Sequence, residues 1–193
     1  RRLAIIGAGE EAEGHLVAMR AVRKLDKVVV WSRNRDKTEA FARKHGIAAA
    51  PNMAAALEDA DIICTTTSAT APFLSAAMIP EGAHLNAVGG SMPYLRELQP
   101  DCVPALGFFT DYRPSLEAQA GEVIEARAEG LVAADWQATE IGEVIAGTQP
   151  GRIGDGQRTV YRSLGVAVQD LAAADFIAGR AVERKCGVEV AWQ

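Results

Sequence analysis

The residues with the clearest chemistry stand near the start of the chain. Gly7-Ala8-Gly9-Glu10-Glu11-Ala12 directly follows the apolar run 3–6 and opens an amphipathic stretch. Each position has its own physical requirement. Gly7 permits a tight turn, Gly9 lets a phosphate approach the backbone with no Cβ in the way, and Ala12 is small enough for a helix to pack on a strand. The N–H groups of Gly9, Glu10 and Glu11 and the positive end of the helix would then face an anion. A strand before, a helix after and a second strand near residue 28 make this the diphosphate cradle of a dinucleotide cofactor. Glu10, Glu11 and Glu13 suit the helix dipole but repel an incoming diphosphate.

The end of the second strand selects among dinucleotides. NAD-dependent folds usually place a carboxylate there for the ribose 2′-hydroxyl, whereas this chain has Trp31-Ser32-Arg33-Asn34-Arg35. Arg33 can pair with a 2′-phosphate, and the Ser32 hydroxyl and Asn34 amide can donate to its oxygens. Arg35 reads as a solvated loop charge. The expectation is NADP(H) in preference to NAD(H), with NAD(H) as the other candidate.

Elements must hold these residues, and the pattern supplies them. Short, nearly continuous apolar runs at 3–6, 28–31, 62–64, 85–88 and 108–109 alternate with amphipathic stretches, as in parallel strands covered on both faces. Ala12, Leu16, Met19 and Val22 form one helical stripe, and further helices are expected over 37–44 and 53–59. Beyond residue 109 we expect a helix from Pro114 to near Gly121, another over 136–146, a brief extension at 159–161 and a long helix over 166–184. The last is apolar through Val168, Leu171, Ala172, Phe176 and Ile177, so it should pack on the sheet and on a second domain outside this sequence. The fold class is therefore α/β, a Rossmann-like doubly wound, mainly parallel sheet with helices on both faces. Residues 1–165 form the nucleotide-binding domain and 166–193 a helical extension.

Composition narrows the partners. The chain has 193 residues, 49% hydrophobic and 23% charged, with net charge −5, which argues against disorder and offers no basic stripe for nucleic acid. No apolar run approaches the roughly 20 residues of a membrane span, so a cytoplasmic protein is expected. Cys64, Cys102 and Cys186 are too dispersed for a disulfide framework or metal clip and read as small buried hydrophobes. His15, His45 and His84 have no metal-ligand spacing. Asp111 and Glu122 are expected to cap turns, although both could enter the cleft. Glu140 and Glu143, one helical turn apart, read as surface or interface residues.

Several segments together resemble the ornithine cyclodeaminase/mu-crystallin family. They are Gly7-Ala8-Gly9, Trp31-Ser32-Arg33, Asp61 through Thr67, Gly82 through Gly89, Arg96-Glu97-Leu98, Gly142 through Gly147, and Ser163-Leu164-Gly165 with Asp170. The resemblance implies that Gly7, Ala8 and Gly9 hold a diphosphate and that Ser32, Arg33 and Asn34 form the NADPH-selecting segment of the mu-crystallin branch. It also implies Thr66 and Thr67 along the cofactor, with Val88 and Ser163-Leu164-Gly165 near the nicotinamide. Members are typically homodimers through an N-terminal domain that carries most substrate contacts, a lysine and arginines among them.

One departure bears on the reaction. Cyclodeaminases of this family carry an aspartate where Gly89-Gly90-Ser91 places Ser91. A lone serine is no general base near neutral pH, although it can orient a substrate nitrogen by hydrogen bonding. The resemblance therefore implies an NADP(H)-dependent oxidoreductase reducing a small amino-acid-derived imine or oxo acid, with Ser91 as the catalytic candidate. The alternatives are an NAD-dependent ornithine cyclodeaminase and a non-catalytic NADPH-regulated binding protein, as mu-crystallin is for thyroid hormone.

Overall fold

A computed structural model describes residues 1–188 and 190. Eight strands, β1 Arg2–Ile6, β2 Lys27–Trp31, β3 Ala48–Ala49, β4 Ile62–Thr65, β5 His84–Ala87, β6 Gly107–Thr110, β7 Thr139–Glu140 and β8 Thr159–Arg162, form one sheet. Their order is β3-β2-β1-β4-β5-β8-β6-β7, with every pairing parallel. The strand order reverses between β1 and β4, and a crevice opens there beyond the carboxyl ends.

The helices are α1 Glu10–Val22, α2 Arg35–His45, α3 Met53–Leu57, α4 Cys102–Ala105, α5 Arg113–Gln119, α6 Gly121–Ala128, α7 Ile141–Ile145 and α8 Ala167–Arg184. Alternation along β1 feeds two cores. Leu3 and Ile5 join Val30 and Cys64 under Ala12 and Leu16 of α1 and Phe41 and Ala42 of α2. On the other face Ala4 and Ile6 join Ile63, Leu85 and Val160 beneath α3 to α6. Residues of both parities are therefore apolar, as in a strand covered on both sides. Asn34 caps α2 by accepting from Lys37 N at 2.9 Å, and Gly46, at φ 62°, ends it.

The structure departs from the sequence pattern in several places. Val22 is exposed, so the buried stripe of α1 stops short of its last turn. The extension at 159–161 is a central strand, β8, inserted between β5 and β6. The stretch 136–146 is helical only over α7, because Thr139–Glu140 pairs with β6 as the edge strand β7. Glu140 thus precedes α7 and is not on its face, and its backbone N–H donates to Glu143 at 3.0 Å. A helix absent from the sequence reading, α6, follows α5 after a one-residue break at Ala120. Cys64 and Cys102 are buried but Cys186, beyond α8, is exposed.

The largest correction concerns α8, which buries none of its residues. It does not lie on the sheet. After the turn at Gly165 (φ 80°) it stands clear, with Phe176 67% and Ile177 64% exposed. A single helix of 18 residues with no buried face is marginal in water. Amide hydrogen exchange should therefore be orders of magnitude faster across α8 than in β1, β4 and β5. Protection in α8 equal to that of the sheet would contradict this arrangement.

Candidate functional site

The turn from β1 into α1 forms one end of a groove of about 730 Å³, lined by Gly7, Ala8, Gly9, Trp31, Ser32, Arg33, Asn34, Lys37, Thr66, Thr67 and neighbours. Gly7 adopts φ 129°, and a Cβ on it would lie 2.5 Å from Thr66 Oγ1 and 2.7 Å from Thr66 O. A side chain is excluded there on both counts. At Gly9 the situation is reversed, since a Cβ would meet no atom within 4 Å. The space ahead of that backbone is free. Gly9 is also the N-cap of α1 and provides no side-chain acceptor, unlike the asparagines that cap α2 and α3. The first-turn N–H groups are left for an external acceptor, and a diphosphate suits them.

Glu10 and Glu11 are exposed in that turn and stay outside the groove lining, while Ala12 is fully buried and serves packing. Glu13 is neutralised by Lys44, whose Nζ donates to it at 2.7 Å and holds its carboxyl below the usual carboxylate range. The expected repulsion of a diphosphate is reduced to two solvated charges.

At the end of β2 the expectation changes in detail. The single Ser32 hydroxyl hydrogen is engaged within the turn, where Oγ lies 2.9 Å from Asn34 O and 2.8 Å from Thr38 Oγ1. Asn34 spends its oxygen on the α2 cap, leaving its amide nitrogen available. Arg35 is paired with Glu39 at 2.8 Å. The groove wall therefore offers Arg33 and, overlooked in the sequence, Lys37 at the N-terminus of α2.

Thr66 and Thr67 continue the groove past β4. Thr67 is anchored from behind by Glu97, which is 4% exposed and accepts from Thr67 N, Thr67 Oγ1 and Thr65 Oγ1 at 2.7 Å each and from Gly89 N at 2.9 Å. Val88, Ser91 and Ser163-Leu164-Gly165 are not part of the groove lining. They lie at or beyond the ends of β5 and β8, farther along the same edge. Asp111 holds the last of these turns, accepting from Leu164 N at 2.8 Å and Gly165 N at 2.6 Å. Ser91 is exposed, just after Gly90, whose carbonyl accepts from Arg162 Nη2 at 2.5 Å.

Arg162 and Glu122 form a buried ion pair at 2.6 Å, 2% and 0% exposed. Glu122 is thus no turn cap, whereas Asp111 is one. The signal for Arg162 was present in the sequence: strand alternation sets it on the same face as Val160, so an arginine there needs a buried counter-charge. Glu97 carries no such periodic signal. Burial raises the Cys64 thiol to about 12, which leaves no thiolate nucleophile near neutral pH. Burial and the neighbouring Asp111 also raise the Tyr161 hydroxyl.

The parallel sheet, the switch point and the glycine turn define a Rossmann-like α/β domain. The chain belongs to the ornithine cyclodeaminase/mu-crystallin family, whose profile matches residues 1–185. It is 35% identical over 197 residues to a Bacillus cereus Delta(1)-pyrroline-2-carboxylate reductase, covering 98% of this chain and 60% of that one. It is 35% identical over 177 residues to the ketimine reductase mu-crystallin of Mus musculus, covering 91% and 54% respectively. The structure of a Thermococcus litoralis Delta(1)-pyrroline-2-carboxylate reductase in complex with NADH and L-proline superposes with a TM-score of 0.90 at 28% identity, over 98% of this chain and 61% of that one. The chain thus spans just over half the length of these relatives.

The buried pair makes a sharp prediction. Glu122→Ala leaves Arg162 uncompensated and should cost about 3–5 kcal/mol in urea unfolding, whereas the double change Glu122→Leu, Arg162→Met should recover most of it. A single change costing under about 1 kcal/mol would show that the pair is not desolvated.

Proposed function

We propose that this chain is the cofactor-binding part of an NADP(H)-dependent reductase acting on a small amino-acid-derived imine. The single observation that carries the reading is the groove itself. Free first-turn N–H groups stand at one point, and at the β2 end Arg33 and Lys37 occur where a carboxylate would favour NAD. Gly7, Ala8 and Gly9 would hold the diphosphate. Arg33, Lys37 and the Asn34 amide would meet the 2′-phosphate, with Ser32 shaping their turn. Thr66 and Thr67 would run along the cofactor, with Val88 and Ser163-Leu164-Gly165 toward the nicotinamide. When bound, the nicotinamide supplies the hydride.

Ser91 supports reduction over deaminating cyclisation. It is exposed beyond Gly90 and has no hydrogen-bonded partner among the described residues that would make it a base. Its role would be to orient a substrate nitrogen. The named relatives favour the same class, since two of them are pyrroline-carboxylate reductases and one a ketimine reductase. That the Thermococcus structure contains NADH keeps NAD(H) as the competing cofactor. The exposed apolar side chains of α8 fit a domain outside this sequence, through which a homodimer would form. Among the described residues no helix is long and apolar enough to cross a membrane.

Fluorescence titration decides the cofactor. NADPH should bind about tenfold more tightly than NADH, and Arg33→Ala should remove most of that difference. Equal affinities would rule the preference out. For the reaction, the whole protein should turn over cyclic imino acids with NADPH. Robust proline formation from ornithine would overturn the reductive reading, and NADPH binding without any turnover would favour a binding protein.

A further inference from the structure

Glu97 is the most heavily bonded buried acid of the carboxyl edge. A carboxylate offers about four acceptor positions. Here Thr65 Oγ1, Thr67 N, Thr67 Oγ1 and Gly89 N occupy them, and none of these donors is a cation. Its own carbonyl accepts from Phe73 N and Leu74 N, both at 3.0 Å, and Phe73 lines the groove. One residue therefore ties together the ends of β4 and β5 and the groove wall. A buried carboxylate without a counter-ion is costly, and it is tolerated here because its acceptor positions are filled by neutral donors. What the carboxylate provides is a fixed separation between loops. A Cβ on Gly89 would collide with the Thr67 backbone and with Glu97 Oε1, so the two loops already touch.

A dinucleotide whose diphosphate sits at the β1 turn and whose adenosine ribose sits at the end of β2 must extend its nicotinamide past β1 toward β4 and β5. These are the strand ends that Glu97 joins. We propose that Glu97 is the positioning residue for the nicotinamide end of the groove, acting through Thr67 and Gly89 without touching the cofactor. The inference rests on the dinucleotide reading of the groove. Positioning at this end matters because a misplacement of about 1 Å at a reacting centre can cost about a hundredfold in rate.

The test compares two ligands on the 193-residue chain: NADPH, and 2′-phospho-ADP-ribose, the same molecule without nicotinamide. Glu97→Gln directs an amide at donor groups. It should weaken NADPH about tenfold while changing the fragment less than about twofold. Thr65→Val, at a buried position outside the groove lining, removes one donor to Glu97 and should shift NADPH the same way by about threefold, with Thr65→Ser restoring it. Melting curves by circular dichroism accompany each titration. If Glu97→Gln shows no cooperative melt, Thr65→Val carries the comparison. A parallel loss for both ligands, or no change for either, would overturn the assignment and leave Glu97 a purely structural residue. Failure of the unaltered chain to bind either ligand would instead sink the dinucleotide reading.

Discussion

The close approach of Gly7 to Thr66 is the constraint on which the carboxyl edge depends. The β1 turn can lie against the end of β4 only because residue 7 lacks a side chain and adopts a φ of 129°. That contact closes the floor of the groove and makes the position of Thr66 matter to the glycine turn that opens α1. From there the ties run outward, one strand at a time. Thr67 is held by Glu97, Glu97 by Gly89, the Gly90 carbonyl by Arg162 at the end of β8, and the turn after β8 by Asp111 at the end of β6. Loops at a strand end are commonly the mobile part of an α/β fold. Here side chains behind them take up their backbone groups, so the chain's own residues organise the edge.

Two electrostatic solutions are used along this edge. Glu97 and Asp111 are compensated by neutral donors, with backbone N–H groups prominent among them, which converts a charge into loop geometry. Glu122 is compensated by Arg162, whose remaining donors reach the Gly90 and Ser163 carbonyls. The solvent-facing pairs, such as Arg35 with Glu39 and Arg180 with Glu183, are of the kind that contributes little to stability. Arg35 still matters indirectly, because its engagement leaves Arg33 as the guanidinium in the groove lining.

How much of this could be read from sequence depended on whether a residue's role was local. The glycine turn, the apolar strands and the α2 region follow from spacing within a few residues, and so does the place of Arg33 after β2. Residues whose role depends on a distant partner were harder to see. Residues 159–161 form a short run flanked by turns, and only tertiary pairing shows that they are central. The helix expected over 136–146 lost to edge pairing by Thr139 and Glu140, a long-range contact that outweighs local propensity. Glu97 stands 30 residues from Thr67, so nothing in its local pattern marks a buried hub. Ser32 lines the groove as its type suggests, but its hydroxyl also bonds within the turn to Asn34 O and Thr38 Oγ1, a local engagement that residue type alone does not reveal.

The arrangement also divides labour between the two ends of the groove. At the end formed by the glycine turn and β2 the chain supplies shape, donors and positive charge from its own first 37 residues. Past β5 it supplies geometry but little reactive chemistry, since the candidate there is an exposed serine. Reduction of an imine needs a proton as well as a hydride, and it needs water kept from the reacting atoms. Neither need is met by Ser91 standing in solvent beside the exposed Met92 and Tyr94. For the proposed reaction, the proton donor and the water-excluding cover must come from groups brought to this edge, which is also the end of the sheet from which α8 departs with its apolar side chains uncovered.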